Sequence, residues 1–185
     1  MLSATQVTRQ PDRIRRAVID SSALFSALTL NFERLEAGSR IRDRLGSCLK
    51  APLLDRGAQE EFLLLITSID EKLTTSHAIA ELLGLEKTRL GLYGDDLANF
   101  WRASVELLLL WNIDEKLVRL LDLARDDRFQ TRLPVIGFVD TGLIELAFRS
   151  GCALITEDEG TLAPLARQLQ VECHLVKQLV PIVYQ

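Results

Sequence analysis

Histidine and cysteine are scarce in this chain: His77 and His174 are the only histidines, and Cys48, Cys152 and Cys173 the only cysteines, in 185 residues. The cysteines form no Cys-x-x-Cys pair and leave an odd one over. Neither a disulfide framework nor a structural zinc site finds support, and reduced thiols in a cytoplasm are the economical reading. Long apolar runs are missing as well. The clusters at 62–66 and 107–111 fall far short of the roughly 20 residues that span a bilayer. The opening stretch 1–16 lacks the apolar centre of a secretory signal, so the expectation is a soluble, cytoplasmic protein with no membrane partner. Positive charge is not in excess either. Lys and Arg number 22 against 26 Asp and Glu, a net charge of −4, so any contact with nucleic acid must rest on a local basic patch and not on a global field. No internal repeat, low-complexity tract or linker breaks the chain.

What is present suits one globular domain: 48% of residues are hydrophobic and 26% charged. Residues 1–15 read as a flexible polar lead and 16–185 as a single domain. Strands are expected at 16–20, 72–75, 153–155 and 174–176, and a short strand or extended lead at 135–139. Helices are expected at 22–30, 57–69, 76–83 (closed by Gly84), 95–111 (capped by Asp95 or Asp96), 113–125, 141–149 and 161–169. An enlarged helical insertion occupies roughly 33–70, and its first part is the most basic stretch of the chain. Strands alternating with helices predict an α/β fold, a three-layer α/β/α sandwich around a central, mostly parallel sheet.

Three short apolar runs end on an aspartate: Ala17-Val18-Ile19-Asp20, Ile136-Gly137-Phe138-Val139-Asp140 and Ala153-Leu154-Ile155-Thr156-Glu157-Asp158. In a parallel α/β sheet the carboxyl ends of the strands line the ligand crevice, so these acids are expected to converge. Several carboxylates in one small volume repel one another unless a cation neutralises them. The pattern therefore points to a divalent-metal site and to phosphoryl-transfer or nuclease chemistry. Each aspartate also has a plainer role as a helix N-cap worth about 1 kcal/mol. Serine, threonine or asparagine would cap equally well, so three aspartates in the same context favour a site. Glu81 is the fourth acid. At 100° per residue it lies opposite Ile79, Leu82 and Leu83, facing either bulk solvent or a wet cleft. Glu157 and Glu159 read as solvated charges.

These residues resemble the motifs of the PIN-domain nucleases, including their VapC-like toxins. Ile19-Asp20-Ser21-Ser22-Ala23-Leu24 is similar to their opening strand, and Leu73-Thr74-Thr75-Ser76-His77-Ala78-Ile79-Ala80-Glu81-Leu82 to their second motif. Val139-Asp140-Thr141-Gly142-Leu143-Ile144 and Leu154-Ile155-Thr156-Glu157-Asp158 match the third and fourth. The four occur in the family's order between Ala17 and Val176. The stretch from Asp20 to Glu81 is longer than in compact toxin members.

The resemblance implies a PIN-like fold and an Mg²⁺- or Mn²⁺-dependent endoribonuclease that hydrolyses phosphodiester bonds in RNA, leaving 5′-phosphate and 3′-hydroxyl ends. It implies Asp20, Glu81, Asp140 and Asp158 as catalytic metal ligands, with the hydroxyls of Ser22 and Thr156 hydrogen-bonding ligand oxygens. An antitoxin partner and a homodimer built on the leucine-rich helices are further implications. Arg34, Arg40, Arg42 and Arg44 are the expected phosphate partners, or else a solvated helix face with internal ion pairs. Trp101 and Trp111 read as packing residues, and His77, four residues before Glu81, as a pairing partner for it. The alternative is a catalytically weak PIN-fold RNA-binding or assembly module. An aspartate-based phosphatase fits poorly, because Ser22 stands where its second aspartate belongs.

Overall fold

A computed structural model describes residues 14–35 and 48–180. Most of the 1–15 lead, the middle of the basic stretch and Arg40, Arg42 and Arg44 lie outside the described residues. Strand β1 (Arg16–Ile19) is the centre of a five-stranded sheet. On one side it pairs with β2 (Glu71–Thr75), which pairs in turn with β3 (Ile113–Lys116). On the other it pairs with β4 (Ala153–Thr156), which is flanked by β5 (Cys173–Leu175). The order is β3-β2-β1-β4-β5 and every pairing is parallel, so the expected α/β sandwich is the architecture found.

Side chains alternate across a strand, and here the alternation splits the interior into two cores. Ala17, Ile19 and Ile155 face one layer, where they pack with α1 (Ser21–Leu35), α2 (Arg56–Ser68), α3 (Ser76–Leu90) and α4 (Gly94–Leu110) through residues such as Phe25, Phe62, Leu82 and Phe100. Val18, Leu73 and Leu154 face the other, against α5 (Leu120–Arg125), α7 (Phe138–Ser150) and α8 (Leu162–Gln168) through Leu123, Leu143, Ile144 and Leu165. Two short helices, α6 (Leu133–Ile136) and α9 (Val176–Leu179), complete the described chain. Among the described residues no helix is long and apolar enough to cross a membrane.

Helix α1 runs on from the expected end at 30 to Leu35, and four further boundaries differ from the sequence expectation. The helix from Ser76 does not stop at Gly84. It runs to Leu90 because the buried Leu90 and the half-buried Leu85 carry its apolar face onward, and Gly91 ends it at φ 58. Neither Asp95 nor Asp96 caps α4; both sit in its first turn, where their charge complements the helix dipole. The segment 113–125 is not one helix. Asn112 turns the chain at φ 54, Ile113–Lys116 pairs along β2 in register with Lys72–Thr75, and the helix begins only at Leu120. The segment 135–139 is not a strand. Pro134 opens α6, Gly137 breaks it at φ 96, and Phe138 starts α7. A short apolar run carries no periodicity that separates strand from helix, and here the proline and glycine decide.

Topology also marks where a ligand would bind. From β1 the chain builds β2 and β3 to one side, then returns to place β4 and β5 on the other. The reversal lies between β1 and β4, and in open parallel sheets the crevice opens at the carboxyl ends of the strands at that point.

Candidate functional site

Asp20 is the first residue past β1 and sits at this crevice. Its amide donates to the Ile155 carbonyl at 3.0 Å, extending the β1–β4 ladder by one bond, and its carbonyl starts α1 by accepting from Leu24. The side chain is buried, 3% exposed. Hydroxyls surround its carboxylate. Thr156, the last residue of β4, donates to Oδ2 at 2.7 Å, and Ser22 donates to the same oxygen. Thr74 on β2 donates to the Ile19 carbonyl at 2.9 Å and so ties the end of β1 from its other side. The two hydroxyls singled out in the sequence thus both reach Asp20.

Ser21 was not singled out, and it joins two of the acids. Its Oγ lies 2.6 Å from Oε2 of Glu81 and 3.1 Å from Oδ1 of Asp20. A hydroxyl has one proton to give, so the shorter contact to Glu81 is the stronger donation and Asp20 takes the weaker share. The result is a carboxylate from α3 and one from β1 on either side of a single oxygen atom.

Asp140 enters from the opposite layer, on the first turn of α7. Its carboxyl is pushed up to about 7, first by burial and then by the negative charges of Asp20, Glu81 and Asp158. Charges from three other segments therefore act on Asp140 in one electrostatic patch. A helix N-terminus would ordinarily favour the anion. Burial and three like charges outweigh it.

Asp158 has a second occupation. Its Oδ1 accepts from the amides of Gly160 at 2.8 Å and Thr161 at 3.0 Å, and its Oδ2 from Leu162 at 3.2 Å. Its own amide donates to Thr156 Oγ1 at 2.9 Å. It therefore shapes the turn into α8 while adding its charge to the patch. Among the described residues no three His, Cys, Asp or Glu side chains are grouped at the spacing of ligands to one ion. Asp20 is turned toward hydroxyls and Asp158 toward amides, so joint ligation of a cation requires these side chains to rotate. The donor chemistry fits a hard divalent ion: four carboxylates, flanking hydroxyls, and neither sulfur nor imidazole among them.

Glu157 departs from expectation. It is buried, not solvated, at 4% exposed, and burial raises its pKa. Ser26, Lys50 and Arg89 moderate the rise and Asp20 adds to it, although no hydrogen bond of standard geometry reaches its two oxygens. Lys50 donates to the Glu157 carbonyl. Glu159 is exposed and paired with Lys177. His77 lies edge-on to Phe138, with ring centroids 4.2 Å apart, a contact that joins α3 to the start of α7 beside the acids. Trp111 is buried and Trp101 packs against the same core. Arg34 falls in the last turn of α1, its side chain outside those described. No protein-family model and no curated protein matches this chain.

Proposed function

We propose that this chain is a divalent-metal-dependent endoribonuclease of the PIN type. The observation that supports it most directly is the meeting of Asp20 and Glu81 on Ser21 at the switch point of the sheet, with Asp140 close enough that burial first, and then the charges of Asp20, Glu81 and Asp158, raise its pKa. Like charges gathered around the buried Asp20 and the half-buried Asp140 and Asp158, with Glu81 at the exposed edge, destabilise a fold, and one use that offsets the cost is holding a cation. RNA as the substrate rests on the ordered resemblance of the four motifs.

Asp20, Glu81, Asp140 and Asp158 are the residues that would hold the ion. When bound, it would supply charge to polarise the scissile phosphate and to lower the pKa of a water. The remaining contributions are the chain's own. In the metal-free chain Thr156 and Ser22 hold Asp20, Ser21 sets the spacing of Asp20 to Glu81, and the amides at the start of α8 hold Asp158, and these bonds must loosen for the two carboxylates to turn to an ion. Asp140 has to give up its proton before it can ligate, so ion binding tightens as pH rises through about 7.

The test is incubation of purified protein with mixed RNA and Mn²⁺, wild type beside Asp140→Asn. Wild type should generate fragments with 5′-phosphate ends, and the variant should lose at least about a hundredfold in rate. Equal degradation by both proteins, or none by wild type, would overturn the reading.

A further inference from the structure

A cavity of about 460 Å³ opens beside the acid patch, within the range of about 300–1,000 Å³ usual for small-molecule sites. Its floor is apolar, made by Leu53, Leu175 and Val176, while Lys50 and Lys177 line it together with Glu157 and Glu159. Leu175 ends β5, Val176 opens α9, and Glu157 follows β4. The cavity therefore lies at the carboxyl end of the sheet, on the β4–β5 side of the switch point. Glu157 makes it continuous with the patch. Its neighbours in sequence are Thr156, which bonds Asp20, and Asp158, and its own carboxylate senses the charge of Asp20.

We infer that this cavity holds one nucleotide of a single-stranded RNA next to the bond that is cut, its base on Leu53, Leu175 and Val176 and its phosphate on Lys50 and Lys177. The inference rests on the nuclease reading and names how the strand is gripped. Charge decides the occupant. A phosphodiester brought up to four carboxylates is repelled along its whole approach unless cations stand at the edge of the site. Lys50 and Lys177 stand there, matched in number by Glu157 and Glu159, and Arg89 adds positive charge from outside the lining close enough to act on Glu157. Both lysines can be spared from their present partners. Lys177 is paired with the exposed Glu159, an association that a phosphate displaces at little cost, and Lys50 donates to the main-chain carbonyl of Glu157, a bond that a water can replace. An apolar floor with flanking cations suits a flat, weakly polar base joined to an anion.

The experiment measures binding of a fluorescein-labelled mixed-sequence RNA pentamer in EDTA, where no cleavage occurs, for wild type, Lys50→Met and Lys177→Met. Each substitution should weaken binding about tenfold. Each should also make the slope of log affinity against log salt shallower by about 0.7, the signature of one lost phosphate contact on a single strand. In Mn²⁺ the same variants should raise KM while kcat stays within about twofold of wild type. Unchanged affinity and slope in both variants, or no binding by wild type at millimolar protein, would overturn the inference. Lys177 is exposed, so its variant keeps the test sound if Lys50→Met folds poorly. The two readings fail separately. Lysine-dependent binding without Mn²⁺-dependent cleavage would sink the nuclease and leave the pocket, whereas cleavage with an unaltered KM in both variants would do the reverse.

Discussion

Glu86 on α3 is fully buried, at 0% exposed, and neither carboxylate oxygen has a hydrogen bond of standard geometry. Burial pushes its pKa up to about 7, against a smaller lowering by Ser104 on α4. Between about pH 4.5 and 7 the folded chain holds a proton there that the unfolded chain has released, so this contribution to stability is full at low pH and is lost as pH rises through 7. The loss is about 3 kcal/mol in order of magnitude. Glu86→Gln removes the titration. Its urea-unfolding free energy should exceed that of wild type at about pH 8, by up to that amount, with the gap closing toward about pH 4. A variant less stable than wild type at alkaline pH would refute the account. The acid patch obeys the same physics but was easier to read in the sequence, because Asp20, Asp140 and Asp158 each follow an apolar run and Glu81 takes its place by order along the chain. Ser21 and Glu157 were not legible. Ser21 differs from Ser22 only through where α3 brings Glu81, and Glu157 is buried by Lys50 and Ser26, contacts that no local pattern encodes.

At the scale of elements, α7 carries Asp140 to the patch, and Gly137 sets how it enters. Gly137 adopts φ 96 and ψ 166, a conformation reached almost only by glycine, and a Cβ there would meet no atom within 4 Å. The strain of Gly137→Ala is therefore in the backbone and not in a clash. It should cost about 1–3 kcal/mol in chemical denaturation and reduce Mn²⁺ affinity, as relaxation of the turn shifts Asp140. A neutral variant would show that the turn is not needed to aim the helix. The same region explains where the sequence misleads. Strands β1, β2 and β4 were legible because they occupy the middle of the sheet and are apolar or closely bounded by their helices. Strand β3, Ile113-Asp114-Glu115-Lys116, lies on the edge, where charged residues are the norm, and the leucines that follow impose a helical period across it. Segment 135–139 has the composition of a buried strand. It becomes helix because Gly137 reverses the chain and the apolar residues of α7 pack on the second core.

For the molecule as a whole, the patch sets stability against cation binding. In the metal-free chain Asp140 is raised from the usual carboxyl range to about 7, so the fold loses stability as pH rises between about 4 and 7, in the same direction as Glu86. Asp140→Asn abolishes that loss. In EDTA at about pH 8 the variant should melt above wild type, and at about pH 4 the two should converge. Excess Mn²⁺ should narrow that gap from the wild-type side. An ion present at about a hundred times its Kd stabilises the folded state by about 2.7 kcal/mol, a rise in Tm on the order of 5 °C for a chain of this length. Asp140→Asn should gain far less, having lost a ligand. The unequal response separates a binding cluster from an incidental one, since four acids that merely cap helices would leave both proteins with the same response to Mn²⁺. A variant that melts below wild type in EDTA would mean that the Asp140 carboxylate stabilises the fold directly. The mutual repulsion of Asp20, Glu81, Asp140 and Asp158 would then not be what sets the charge of the patch.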